Sequence, residues 1–227
     1  MDIIATTSTA LEPAGARIRL AIRRASQRET PFRYWLLQGV LPDELCRSLS
    51  ALPFAPAPIG DTCGKRDTHN AQRVFVSSGS RGYYPACGAL ADAFQDEATI
   101  SLIQDRTGAD LTGSFLRIEC CLDTDGFWLE PHTDIGAKLF TMLVYLSDHP
   151  EAGDWGTDIM DRQGNVLGRA SGAYNAGLIF IPGTDTWHGF AKRPIRGIRR
   201  SLIVNYVKPE WRSRHELAYP ETPVRAA

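Results

Sequence analysis

From Ser114 onward the chain reads as a succession of short strands. Eight stretches (114–121, 127–132, 138–147, 157–161, 165–167, 173–181, 187–191 and 198–207) are rich in β-branched and aromatic residues and are separated by Gly, Asp and Pro. Strands this short and this numerous bury their apolar faces by pairing two antiparallel sheets face to face, as in a double-sheet jelly roll. The first half is mixed. Residues 16–29 place Ile18, Leu20 and Ile22 among basic residues, as a helix with one solvated face does. Residues 32–40 read as a strand, and 41–52 as a helix opened by Pro42, Asp43 and Glu44. Pro53, Pro56, Pro58, Gly60 and Gly64 mark 53–70 as a long loop, suited to a lid or substrate contact. A strand at 73–77, a turn-rich stretch at 78–85 and a helix at 86–105 stopped by Gly108 complete this half.

The expected fold class is therefore mainly β with flanking helices: a double-stranded β-helix (jelly roll) buttressed by N-terminal α-helices. It forms a single domain over 1–227, with 1–15 a mobile lead-in, 16–113 the buttress and substrate loop, 114–207 the core, and 208–227 a peripheral tail.

The chemistry centres on Pro131-His132-Thr133-Asp134. On extended backbone, positions two apart share a face, so His132 and Asp134 project together and Thr133 turns away. An imidazole nitrogen beside a carboxylate oxygen is half of a metal site. Alone, H-x-D is a common chance pairing, most often a surface His beside a turn Asp. Three downstream features change its meaning. A long β-prone run follows directly at 138–147. The apolar strand 177–182 leads through a Pro-Gly turn to Trp187-His188-Gly189, which supplies a third ligand, His188. Arg199-Arg200-Ser201 then opens the last strand. Two His and one carboxylate with open positions are the facial triad of non-haem Fe(II) oxygenases, and an arginine on a neighbouring strand suits bidentate anchoring of a carboxylate.

His132-x-Asp134, His188 and Arg199-x-Ser201, in this order and on separate strands, resemble the Fe(II)/2-oxoglutarate-dependent dioxygenase superfamily. Lys138-x-x-Thr141-x-x-x-Tyr145-Leu146-Ser147 looks most like its prolyl-hydroxylase-like branch, and Gly156-Thr157 resembles the start of the next strand there. The likeness covers roughly 114–207. It implies Fe(II) on His132, Asp134 and His188, with 2-oxoglutarate and O2 as co-substrates. It also implies Arg199, Ser201, Tyr145 and Thr141 around the 2-oxoglutarate, and decarboxylation to succinate and CO2 coupled to substrate oxidation. Relatives that halogenate lack the carboxylate ligand, so Asp134 points to hydroxylation or a related oxidation.

Strand alternation puts Arg199, Ser201, Ile203 and Asn205 on one face and Arg200 on the other, which favours Arg199 as the anchor. Tyr145 is a second donor to the same carboxylate, or else a core aromatic with a satisfied hydroxyl. The branch often has a Tyr on the strand before H-x-D; here that strand is 115–121, without one. Arg117 and Glu119 share one of its faces. An ion pair facing solvent is the expected outcome, and a barrel mouth that reads a polar substrate is the alternative. His69, Asn70 and Arg73 flank the long loop, where substrate contact is the lesser reading beside an ordinary loop surface. His149 and His215 read as surface residues. Trp128 and Trp187 read as pocket wall or core.

The expected substrate is a small polar or amino-acid-like molecule. Peptidyl hydroxylation of prolyl type, or a carrier-bound substrate, is the alternative, and a cupin-like metal- or sugar-binding jelly roll without oxygenase activity is a third reading. The 25 basic and 26 acidic residues nearly cancel, which argues against a nucleic-acid partner. No run approaches membrane-spanning length, so no membrane partner is expected. Five cysteines without zinc or disulfide spacing read as reduced thiols, with the cytoplasm as the expected compartment.

Overall fold

The computed structural model describes residues 13–59, 63–65 and 73–226. His69 and Asn70, named above as substrate contacts, lie outside the described residues, as do most of the lead-in and part of the 53–70 loop.

Each of the eight stretches after Ser114 carries a strand. Preceded by β1 (Ser26–Arg28), β2 (Tyr34–Gln38) and β3 (Val74–Phe75), they are β4 (Phe115–Asp123), β5 (Leu129–His132), β6 (Lys138–Tyr145), β7 (Asp158–Met160), β8 (Val166–Arg169), β9 (Ala176–Phe180), β10 (His188–Phe190) and β11 (Arg199–Val207). They form two antiparallel sheets, one ordered β1-β2-β9-β6-β11-β4-β3 and the other β5-β10-β7-β8. This is the jelly-roll arrangement expected from the sequence. The helices are α1 (Ala14–Arg23), α2 (Asp43–Ser50), α3 (Ser78–Tyr83), α4 (Pro85–Gln95) and α5 (Glu97–Thr107).

Strand alternation divides the core. On β6, Met142 and Val144 face the helical layer and pack with Ile18, Leu90, Phe94 and Ile100, while Leu143 and Tyr145 face inward with Leu178 and Phe180. The helices thus cover the outer face of the large sheet, and its inner face with the smaller sheet encloses the site.

Local details depart from the sequence reading for identifiable reasons. The first helix stops at Arg23, because Ser26, Gln27 and Arg28 offer no apolar residue to extend its buried face; they pair instead with β2. The turn-rich 78–85 stretch contains α3, started by a capping box between Ser77 and Ser80. The helix expected at 86–105 is two, α4 and α5. The break is at Asp96, whose extended backbone ends α4 and whose carboxylate caps α5 through Thr99 N. Gly108 terminates α5 in the left-handed conformation (φ 77°), as expected. Residues after 207, read as a peripheral tail, bury Leu217, Ala218 and Val224.

Candidate active site

β5 and β10 are neighbours, and their register sets His132 directly opposite His188. Asp134 follows β5 by two residues. Ligand atoms of His132, Asp134 and His188 all lie within 4.8 Å of one another. The two imidazole centroids are 4.3 Å apart.

The tautomers are fixed by the backbone. His132 Nδ1 lies 2.8 Å from Glu130 O, and His188 Nδ1 lies 2.9 Å from Thr186 O. A carbonyl only accepts, so each Nδ1 carries the proton and each Nε2 keeps a free lone pair for a metal. Burial, then the neighbouring His132, pushes His188 down to about 4, which keeps it neutral. Burial works to raise the Asp134 carboxyl, but the Lys138 charge and hydrogen bonds from Lys138 and Thr141 outweigh it and hold it at about 2. Two imidazoles that each present Nε2 and one ionised carboxylate on one face fit a divalent cation of the non-haem iron type.

Asp134 is held from both sides. Lys138 Nζ is 2.5 Å from Oδ1, and Thr141 Oγ1 donates to Oδ2 at 2.6 Å. Since Thr141 donates there, it accepts from Asn205 Nδ2 at 2.9 Å. Thr141, expected beside 2-oxoglutarate, is thus in direct contact with the metal-site carboxylate.

The triad opens on a cavity of about 320 Å3. One end is lined by Leu143, Thr157, Ile203 and Arg199. Arg199 is buried; its Nε donates to Trp155 O at 2.6 Å and its Nη1 to Asp123 Oδ2 at 2.5 Å. Its guanidinium sits near the rings of Phe190 (4.7 Å), Tyr145 (5.8 Å) and Phe127 (5.9 Å). The Asp123 pairing left no trace in the sequence pattern. Arg200 points to the other face of β11, as alternation requires. Ser201, on the Arg199 face, has a buried hydroxyl with no hydrogen-bond partner but, unlike Arg199, is not among the residues that line the cavity. Tyr145, expected as a second carboxylate donor, gives its hydroxyl proton to Thr157 Oγ1 at 2.9 Å and accepts from Thr157 N at 3.1 Å. Thr157, which the sequence reading missed as a site residue, lines the cavity itself. Gly156 before it is required by packing: a Cβ there would fall 1.7 Å from Ala170 O.

The other end corrects the expectation for Arg117 and Glu119. Rather than facing solvent, both are 1% exposed and line the cavity. β4 lies inside the large sheet between β11 and β3, and its apolar alternate residues Leu116, Ile118 and Cys120 face the helices, so its charged face turns inward. Arg73 also lines this end and forks onto Glu119, at 3.2 and 2.6 Å. Trp211 lines it as well, whereas Trp187 and Trp128 do not. Trp128 instead packs on Gly64. His149 stacks on Trp155 at 5.0 Å, and neither it nor His215 reaches the cavity.

No protein-family model matches the chain, and no curated protein matches its sequence. Solved structures do match it. A prolyl-4-hydroxylase of Pseudomonas putida superposes with a TM-score of 0.56 at 17% identity, covering 89% of this chain and 99% of that one. An oxidoreductase of the 2OG-Fe(II) oxygenase family from Burkholderia pseudomallei superposes with a TM-score of 0.54 at 15% identity, over 86% of this chain and 92% of the other. The chain has the fold of a 2OG-Fe(II) oxygenase. A third match within this oxygenase fold is a prolyl hydroxylase from Trichoplax adhaerens, solved with a peptide fragment of the hypoxia inducible factor oxygen degradation domain. It has a TM-score of 0.54 at 13% identity, over 86% of this chain and 89% of that one.

Proposed function

We propose that this chain is an Fe(II)- and 2-oxoglutarate-dependent oxygenase that hydroxylates a small polar or amino-acid-like substrate. The observation that carries the reading is the convergence of His132, Asp134 and His188 within 4.8 Å at the wall of a cavity that is also lined by Arg199. His132 and His188 would hold Fe(II) through Nε2, and Asp134 through a carboxylate oxygen. The bound iron would supply activation of O2, coupled to decarboxylation of 2-oxoglutarate to succinate and CO2.

The chain's own groups do the rest. Arg199 anchors the distal carboxylate of 2-oxoglutarate. Thr157 and Tyr145, bonded to each other, brace the wall beside it. Leu143, Ile203 and Phe190 exclude water from the reacting groups. Thr141 fixes the orientation of Asp134.

Two fold neighbours are prolyl hydroxylases, one of them solved with a peptide, and peptidyl hydroxylation is the second reading. The cavity, at about 320 Å3, lies at the low end of the roughly 300–1,000 Å3 of ligand sites, which favours a small substrate. The cupin-like reading does not use a buried arginine in the cavity. Five free thiols fit a reducing cytoplasm, and among the described residues no helix is long and apolar enough to cross a membrane.

The test is anaerobic. Fe(II) and then 2-oxoglutarate are added to the purified protein, and the visible charge-transfer band of the chelate is sought in the parent, Asp134→Ala and Arg199→Gln. A band in the parent that weakens in both variants supports the reading. A folded parent without a band overturns it.

A further inference from the structure

Arg117 is a fully buried guanidinium that neither the metal site nor the 2-oxoglutarate anchor accounts for. On β11, Arg199 pairs with Asp123 and Asn205 pairs with Arg117. Six residues separate the two positions, about 20 Å of strand. The cavity therefore has an arginine at each end, with the triad alongside. We infer that the Arg117–Arg73 end reads a carboxylate of the substrate, so that the substrate is a small free acid of amino-acid type. This rests on the oxygenase reading above.

Arg117 is held rigidly. Its Nε donates to Glu216 Oε2 at 2.6 Å, Nη1 to Asn205 Oδ1 at 3.2 Å, and Nη2 to Glu119 Oε2 at 3.0 Å. The rings of Phe75 (4.7 Å) and Trp211 (5.3 Å) lie against it. A guanidinium has five N–H donors, and these bonds use three. Glu119 already accepts three hydrogen bonds from Arg73 and Arg117. Each nitrogen of Arg117 has one partner, Glu216 and Glu119 among them, and the two N–H groups left over, one on Nη1 and one on Nη2, can only donate. A planar fork matched to two oxygens selects a carboxylate.

The spacing limits substrate size. Arg117, Asn205, Thr141 and Asp134 are linked in order by hydrogen bonds of 3.2, 2.9 and 2.6 Å. The Arg117 end and the metal-site carboxylate are therefore joined by a relay of three hydrogen bonds through two side chains, the reach of a small molecule. An internal residue of a peptide has no carboxylate to offer there.

The experiment is calorimetric, on the full chain loaded with Zn(II) and 2-oxoglutarate. Proline, leucine, lysine and glutamate are titrated, each against its carboxamide. At least one acid is expected to bind, with its amide about tenfold weaker or more, because a site built for a charged acceptor rejects the analogue without it. Arg73→Ala, at a partly exposed position, and Arg117→Lys, which keeps the charge and loses the fork, are each expected to weaken the acid about tenfold and leave 2-oxoglutarate affinity unchanged. Equal binding of acid and amide, no binding by any of the four acids, or an acid affinity indifferent to both variants overturns the inference. Failure of 2-oxoglutarate to bind in the first step strikes the oxygenase reading instead, and the acid–amide comparison is then still read on the protein with Zn(II) alone.

Discussion

Lys138 Nζ stands 2.5 Å from Oδ1 of Asp134, so an ammonium already occupies one oxygen of the carboxylate that would ligate the metal. A metal bound through Oδ1 would have to displace the lysine. Lys138→Met is expected to tighten Mn(II) binding about tenfold, equivalent to about 1.4 kcal/mol. The metal-free protein should lose about 2 kcal/mol of stability, because its buried carboxylate loses a charged partner. Electron paramagnetic resonance titration and urea unfolding measure the two effects. Weaker Mn(II) binding would show that Lys138 assists the metal rather than displacing it.

Thr141 is the only bridge between Asp134 and Asn205 among the described residues. Thr141→Val keeps the shape and removes both hydrogen bonds. Mn(II) affinity should fall by about 10- to 100-fold, the usual cost of losing a partner behind a metal ligand. Thr141→Ser should restore most of it. Equal loss in Ser and Val would mean that packing, and not the hydroxyl, is what matters.

Asp123 neutralises the arginine assigned to 2-oxoglutarate. Asp123→Asn keeps a hydrogen-bond acceptor and removes the negative charge. We expect 2-oxoglutarate to bind about tenfold more tightly, a gain of about 1.4 kcal/mol. The dissociation constant follows from titrating the anaerobic charge-transfer band. A looser complex would mean that Asp123 orients Arg199 more than it masks it.

His188 carries a pH signature in the metal-free protein. Its folded value is about 4 against an ordinary 6.5, so the unfolded chain binds the proton first as pH falls. Its contribution is fully present above the unfolded value and is lost as pH drops from there towards about 4. The slope in that window is at most about 1.4 kcal/mol per pH unit for one proton. Urea midpoints of the metal-free parent should fall between pH 6.5 and 4, and His188→Gln should flatten that decline. Parallel curves would remove His188 as the source.

Much of this was legible in the sequence, because strands alternate. One period-two argument brings His132 and Asp134 together and separates Arg199 from Arg200. The eight strand stretches follow from their β-branched and aromatic content. The opposite end of the cavity was not legible, for a related reason. Alternation shows that Arg117 and Glu119 share a face but not which way it points, and charged residues are usually exposed. Only the position of β4 within the sheet, with helices over its apolar side, turns that face inward. The partners of Arg199, Tyr145 and Asp134 come from Asp123, Thr157 and Lys138, and such pairings depend on how strands and loops converge. The helix at Ser78–Tyr83 hides in a glycine- and serine-rich stretch because its start rests on a cap, not on apolar periodicity.

Glu216, in a short 3-10 turn near the C-terminus, reaches back to Arg117 at 2.6 Å. This turn therefore stands directly behind Arg117 in the cavity wall, and Trp211 just before it lines the cavity itself, although nothing in the sequence there marks a site. Shortening the protein at residue 207, where the last strand ends, would remove Glu216 and Trp211 together and leave a buried guanidinium short of its counter-charge. Any affinity tag, crystallisation trimming or fusion partner belongs at the other terminus, and a C-terminally clipped preparation is expected to lose the proposed acid-reading end of the cavity while keeping His132, Asp134 and His188 in place.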